Sequence, residues 1–263
     1  MNSIEIDVAA LFKEDPFAAH YNLERLTSWS LSCDIDWAPD FAVEDLLCLV
    51  ESFDIPLTAF ATHKSDLLQR PPGWLEVGLH PDNTRPHAEH GLKRKVLDLL
   101  DLYPDAKGLR AHRNFFGQNI AQMTAEAGLT YDVSVLNWGM PFCQGQFDQY
   151  GLARLSYCWE DGVHADLNKP WDLSHVPFNG PGLKIFNVHP IFIYLNCPDD
   201  GYRRDVTKGY RNLQDAPFSI LKNQVYQGYG ARNFLIDILK SMKARQAKAV
   251  RLDKLVAEAR GAR

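Results

Sequence analysis

Asp34-Ile35-Asp36, His80, Arg110-Ala111-His112, Glu160-Asp161 and His189 are the residues of this 263-residue chain whose types and placement could do chemistry together. Each follows or ends an apolar, β-prone run. In a parallel sheet or barrel the C-terminal strand ends converge on one rim, so residues far apart in sequence would meet there. In an extended Asp-x-Asp segment both carboxylates point to the same side, about two residues' rise apart. One can bind a divalent metal while the other takes a proton from water at the site. Two or three His or carboxylate ligands with an open position make a mononuclear centre. Such a centre polarises a carbonyl oxygen, and with a base and an acid beside it the set suits hydrolysis. The sequence has no GxGxxG after a strand and no GxxxxGK[ST], HExxH or GxSxG, which argues against phosphate cradles, zincins and serine hydrolases.

The elements that must position these residues alternate. Ser28–Cys33 reads as a strand, and Val43, Leu46, Leu47 and Val50 mark one face of a helix over Phe41–Phe53. Strands are expected at Ile55–Thr62, Trp74–Leu79, Lys107–Ala111, Tyr131–Leu136 and Arg154–Cys158. A second helix carries Leu92, Val96, Leu99 and Tyr103 and stops at Pro104; a third runs from Gln118 to Ala127, with Gly128 as C-cap. Lys184–Leu195 reads as a long apolar strand interrupted by His189-Pro190, and 137–182 as a loop-rich stretch that walls a cleft. Units of about 25–30 residues with this alternation point to an α/β parallel sheet or barrel. No linker or repeat divides the chain, which reads as one catalytic domain over 1–263, with a barrel core at about 28–195 and a helical segment at about 205–263.

Composition narrows the class. The chain is 46% apolar with net charge −5, which excludes disordered, collagen-like and coiled-coil readings and argues against nucleic-acid binding. No run reaches the ~18–20 apolar residues of a membrane helix. The N-terminus has no signal-like pattern, so a cytoplasmic location is expected. The five cysteines form no CxxC pair, so reduced, partly buried thiols are expected. From Lys240 onward, eight Lys/Arg face only Asp253 and Glu258; this reads as a solvated terminal helix, with an anionic partner such as a phospholipid surface as the alternative. His164 is placed near the rim, and Trp37, Trp138 and Trp159 are assigned to core packing or a sugar-stacking wall.

Taken in order, Asp34-Ile35-Asp36, His80, Arg110-Ala111-His112, Trp159-Glu160-Asp161 and Val188-His189-Pro190 resemble the five motifs of the polysaccharide deacetylase (NodB-homology) superfamily. The resemblance spans roughly 28–195 and is closest to a divergent WbmS-like branch, through Val77-Gly78-Leu79-His80-Pro81. It implies a distorted (β/α) barrel, usually seven-stranded, and removal of acyl groups from N-acetylated sugars with a zinc-type metal. It implies Asp34 as base, Asp36 and His80 as metal ligands, Arg110 as the partner that orients the base, His189 as acid, and Glu160 or Asp161 as the group that tunes it. This sequence departs from the family pattern at position 84, where Thr stands in place of a second metal histidine. His112 is favoured for the missing ligand because a strand end fixes it near the rim; His87, His90 and Asn83 are the alternatives. The expected activity is deacetylation of an N-acylated sugar in surface-polysaccharide metabolism. The alternatives are a catalytically inactive barrel that binds glycan, and a metal hydrolase of another non-peptide C–N bond.

Overall fold

A computed structural model describes residues 26–84 and 91–261. Its centre is a sheet of nine strands among the described residues: β1 (Trp29–Asp34), β2 (Leu57–Ala61), β3 (Leu75–Leu79), β4 (Gly108–Leu109), β5 (Tyr131–Leu136), β6 (Gly145–Phe147), β7 (Ala153–Tyr157), β8 (Trp159–Glu160) and β9 (Lys184–Val188). The order is β6-β7-β5-β4-β3-β2-β1-β9-β8. Every pair is parallel except β6 with β7. A parallel sheet covered on both faces buries its central strands, and β1, β2, β3 and β9 are buried along their lengths, including polar residues Ser32, Glu76 and Asn187.

The hydrogen-bonded order is open, and it holds nine strands rather than the seven expected. The two extra strands come from the segment read as loop. β6 is a short strand added antiparallel to β7, and β8 follows β7 after the single residue Cys158. The Cys158 N–H donates to Ile185 O of β9 at 3.0 Å, so 153–160 adjoins β5 at its start and β9 at its end.

Helices α1 (Asp40–Ser52), α2 (Gly91–Leu102) and α3 (Gln118–Glu126) lie where periodicity places them. Helix α1 buries Ala42, Val43, Leu46 and Val50. Lys184–Leu195 differs from expectation. The strand ends at Val188, His189 is an N-cap, and Pro190 opens the short helix α5 (Pro190–Tyr194). Proline lacks the N–H a ladder needs, yet suits the first helical position. Helix α4 (Asp161–Asp166) precedes it; α6 (Asp200–Thr207), α7 (Phe218–Leu221), α8 (Ala231–Ala244) and α9 (Leu252–Ala259) follow.

The basic C-terminal segment is two helices rather than one, and much of its charge is bonded within the molecule. Lys248 pairs with Glu258, Arg251 with Asp253, and Arg260 donates to Thr130 O. Helix α9 buries Leu252, Leu255, Val256 and Ala259 in the core shared with the sheet. All five cysteines are free thiols and only Cys48 is exposed. No helix among the described residues is long and apolar enough to cross a membrane.

Candidate metal centre and catalytic site

The site begins where β1 stops. Ile35 N–H still bonds Phe60 O, and Ala38 N–H returns to Ile35 O at 2.7 Å. Between them Asp36 and Trp37 take φ of 40° and 56°. Two successive left-handed residues are costly without glycine, and such strain gathers at functional sites. Asp34 and Asp36 are thus not the two outward residues of one extended strand. Asp34 stays in β1 and is buried, while the turn swings the half-buried Asp36 carboxylate over the strand ends.

His80 follows β3, and its Nδ1 lies 2.7 Å from the Arg110 carbonyl oxygen. A carbonyl only accepts, so Nδ1 carries a proton, and Nε2 is the atom that offers a lone pair to the cluster when the ring is neutral. That atom meets Asp36 Oδ1 at 3.1 Å and His112 Nδ1 at 3.3 Å; His112 Nδ1 lies 3.2 Å from the same oxygen. Without an ion, a proton on His80 Nε2 or His112 Nδ1 bridges such a set to Asp36; with those protons gone, the three atoms are spaced as ligands of one small cation. A tetrahedral ion with bonds of about 2.0–2.2 Å holds its ligands about 3.3–3.5 Å apart, so this near-equilateral set fits a small divalent metal with one side open. Asp36, His80 and His112 are the group among the described residues that meets ligand spacing. His112 opens a single helical turn, with its N–H on Pro81 O. His87 and His90 lie outside the described residues. Asn83 is buried, and neither of its side-chain polar atoms has a hydrogen-bond partner among the described residues.

Electrostatics follow from this packing. Burial opposes ionisation of Asp36, but hydrogen bonds from His112 and His80 outweigh it and hold the carboxyl well below the usual range. For His80, burial disfavours the cation while Asp34 and Asp36 favour it more strongly, and the net shift is upward.

Asp34 is held from two directions. Arg110 Nη1 donates to Oδ1 at 2.9 Å, and Asn187 Nδ2 donates to Oδ2 at 2.9 Å. Arg110 is fully buried between the Phe60 and Tyr157 rings, 4.6 and 4.2 Å from their centroids. Its Nη1 also reaches Ser32 and Asn187, and Nε donates to Val133 O. Gly78 leaves space for the Phe60 ring, since a Cβ there would stand 2.7 Å from it. Asn187 and Ser32 are site residues that sequence reasoning missed. The available signal was period two: Asn187 shares a strand face with His189, as Ser32 does with Asp34.

On the other side, His189 Nδ1 bonds Asp161 Oδ1 at 2.6 Å, and its backbone N–H bonds Oδ2 at 2.8 Å. Asp161 partners His189, whereas Glu160 accepts from Tyr157 at 2.9 Å. His189 Nε2 faces the cluster, 3.9 Å from Asp34 and 3.8 Å from Asp36. Burial disfavours its cation, but Asp161 outweighs that and raises its pKa to about 10. His164, expected near the rim, is instead buried between Trp159 and Trp171, with Nε2 on Pro170 O. Trp159 is core, whereas Trp37 packs edge-on against His112 at 5.0 Å.

A carboxylate, a second histidine–carboxylate pair and a three-ligand centre thus share one rim, with Asp36 and His112 open to solvent. Comparison with known proteins bears on this arrangement. The chain matches the WbmS-like polysaccharide deacetylase family over residues 31–205. It is similar to a crystal structure of a Bordetella bronchiseptica protein, WbmS, assigned as a polysaccharide deacetylase involved in O-antigen biosynthesis. The two share 29% identity with a TM-score of 0.71, over 82% of this chain and 91% of that one. A 4-alpha-glucanotransferase from Thermococcus litoralis aligns at 10% identity and a TM-score of 0.47, over 88% of this chain and 38% of that one. No curated protein sequence matches. Motif order, strand-end geometry and a family match over about two-thirds of the length agree: the chain belongs to the WbmS-like polysaccharide deacetylase family.

Proposed function

We propose that this protein is a zinc-type metal-dependent amide hydrolase that removes an acyl group from the nitrogen of an N-acylated sugar used in surface-polysaccharide synthesis. The observation that carries the reading is the triangle of Asp36, His80 and His112 ligand atoms facing Asp34 and His189. Asp36 Oδ1, His80 Nε2 and His112 Nδ1 would hold the metal, which when bound polarises the amide carbonyl and lowers the pKa of water.

The chain's own residues supply the rest. Asp34, oriented by Arg110 and Asn187, takes a proton from the attacking water as its oxygen bonds to the carbonyl carbon. His189, kept cationic by Asp161, gives its Nε2 proton to the nitrogen as the C–N bond breaks. Acetate, or the matching carboxylate, and a free amine result. The buried side of the site excludes bulk water from Asp34, so its partnership with Arg110 is undiluted by solvent.

The position of 153–160 between β5 and β9 supports a distorted barrel closed through that segment, with seven strands once β7 and β8 count as one and β6 is left aside. A glycan-binding barrel without catalysis would be marked by a missing nitrogen ligand, and the position of His112 beside Asp36 and His80 supports the catalytic reading over it. The test is metal analysis of purified protein, with acetate release measured on a panel of N-acetyl sugars. Asp36→Ala and His80→Ala are expected to lose stoichiometric metal and to reduce turnover at least 100-fold. Unchanged metal content in both variants would sink the proposed centre. Release from a simple amide or cyclic imide in preference to sugars would redirect the reading to another C–N bond.

A further inference from the structure

Beside the proposed metal centre lies a cavity of about 500 Å³ whose wall includes the ligand Asp36 itself. A larger cavity, about 790 Å³, is lined by none of the clustered residues. The smaller one joins two parts of the chain. Asp36 and Trp37 come from the turn after β1, whereas Arg203 lies on α6 and Tyr210, Arg211 and Asp215 on the segment after it. Tyr210, Arg211 and Asp215 lie beyond the residues that match the family. The wall thus combines residues inside the family match, Asp36, Trp37 and Arg203, with residues that follow it.

Its chemistry has a sign. Arg203 is half-buried, and its Nε and Nη2 both bond Asp200 at 2.7 Å while its guanidinium packs over Phe192. That anchoring fixes the group and leaves Nη1 without a hydrogen-bond partner among the described residues. Arg211 is exposed and has no ion-pair or hydrogen-bond partner among the described residues. Opposing charge on the wall is limited, because Asp36 is engaged by His80 and His112, leaving the exposed Asp215. Guanidinium groups favour planar oxyanions with charge-assisted, often bidentate bonds. Trp37 and Tyr210 add flat apolar surface suited to a pyranose ring.

We propose that this cavity seats an N-acylated sugar bearing an oxyanion, a carboxylate or a phosphate, anchored by Arg211 and the unengaged edge of Arg203. This rests on the deacetylase reading for the position of the acyl group but not for the sign of the ligand. Arg211 acts in specificity, selecting substrate rather than moving protons.

The test is calorimetric titration at low salt with three probes in the gluco and galacto series: the methyl glycoside of the N-acetylhexosamine, its 1-phosphate and the corresponding N-acetylhexosaminuronate. Acetate release is followed in parallel. At least one anionic probe is expected to bind about tenfold or more tightly than the neutral one, and which one separates phosphate from carboxylate. Arg211→Ala should bring that ratio close to one, Arg211→Lys should keep part of it, and Lys254→Ala, on exposed surface of α9, should leave it unchanged. Equal binding of neutral and anionic probes by the wild type, or a ratio that survives Arg211→Ala, overturns the proposal. Selective binding with no acetate released from any probe keeps the anion subsite and counts against the deacetylase reading.

Discussion

Asp34 depends on two neighbours that differ in kind. Arg110 is fixed by a ring on each face and a carbonyl at Nε, so it offers Asp34 a pre-oriented charge at no further ordering cost. Asn187 completes the second carboxylate oxygen and also accepts from Arg110 and Ser32, so it ties Asp34, Arg110 and Ser32 into one network. Cutting Asn187 to Ala leaves Asp34 Oδ2 without its amide donor and Arg110 with one fewer acceptor. Turnover should fall about 10–100-fold, in the range seen when groups that orient a site are removed. KM should change little because Asn187 lies beneath the rim, and far-UV circular dichroism should remain native. A matching rise in KM with unchanged kcat would place Asn187 in substrate binding instead. Asp34, Asp36, His80, Arg110 and His189 were legible from type and strand-end position; Asn187 was not, because a buried amide in an apolar strand has no pattern of its own.

At the scale of elements, the opposite end of the sheet is held by Glu76 of β3. Its carboxylate accepts from Tyr131 at 2.6 Å, from Thr58 at 2.8 Å and from the Asp253 N–H at 2.9 Å, and Leu252 N–H donates to Thr58. One acid thereby joins β2, β3, β5 and the start of α9. Burial, and next the Asp253 carboxylate, raise the Glu76 pKa from 4.5 to about 7, with the hydrogen bonds offsetting only part. The folded state then binds this proton more tightly than the unfolded chain. Stability from this group is complete below about pH 4.5 and is lost as pH rises through about 7. The loss is at most about 3–4 kcal/mol. Urea unfolding at pH 5 and pH 8.5 should show wild type losing stability relative to Glu76→Gln over that interval. A constant difference between the two proteins would show that Glu76 does not titrate there. The longer strands were readable because apolar and β-prone residues recur along them, even with buried polar residues such as Ser32, Glu76 and Asn187 between. β6 and β8 were not, since at two or three residues they have no period and exist only through β7 and β9.

For the whole molecule, the family match ends at residue 205 but the core does not. Helix α8 buries Phe234, Leu235, Ile238 and Leu239, and α9 buries Leu252, Leu255 and Val256. Each buried large apolar side chain contributes about 1.5–3 kcal/mol, so losing those of α9 alone approaches the whole 5–15 kcal/mol margin of a domain. A chain ending at residue 250 should therefore be insoluble or unfold tens of degrees below the full chain in a thermal melt. Retention of the full Tm would mean that α9 is dispensable. The amphipathic pattern of this tail was visible, but its partner surface was not. The tail read as a solvated face because the alternation of charge and alanine does not say that its leucines dock under the sheet.

What the sequence determined by itself was the local part: the alternation of apolar strands and amphipathic helices, and the ordered appearance of Asp34, Asp36, His80, Arg110 and His189 at strand ends. These follow from burial periodicity and residue chemistry, which act over a few residues. Only the tertiary structure decided that His112 rather than Asn83 joins Asp36 and His80, and that Asp161 rather than Glu160 holds His189. It also decided that Asp36 reaches the cluster through a left-handed turn. The first two depend on distances between residues 28 to 76 positions apart, set by sheet register and loop conformation. The same long-range packing brings Trp37 opposite Arg203 and Arg211, where the sign of the substrate is proposed to be read.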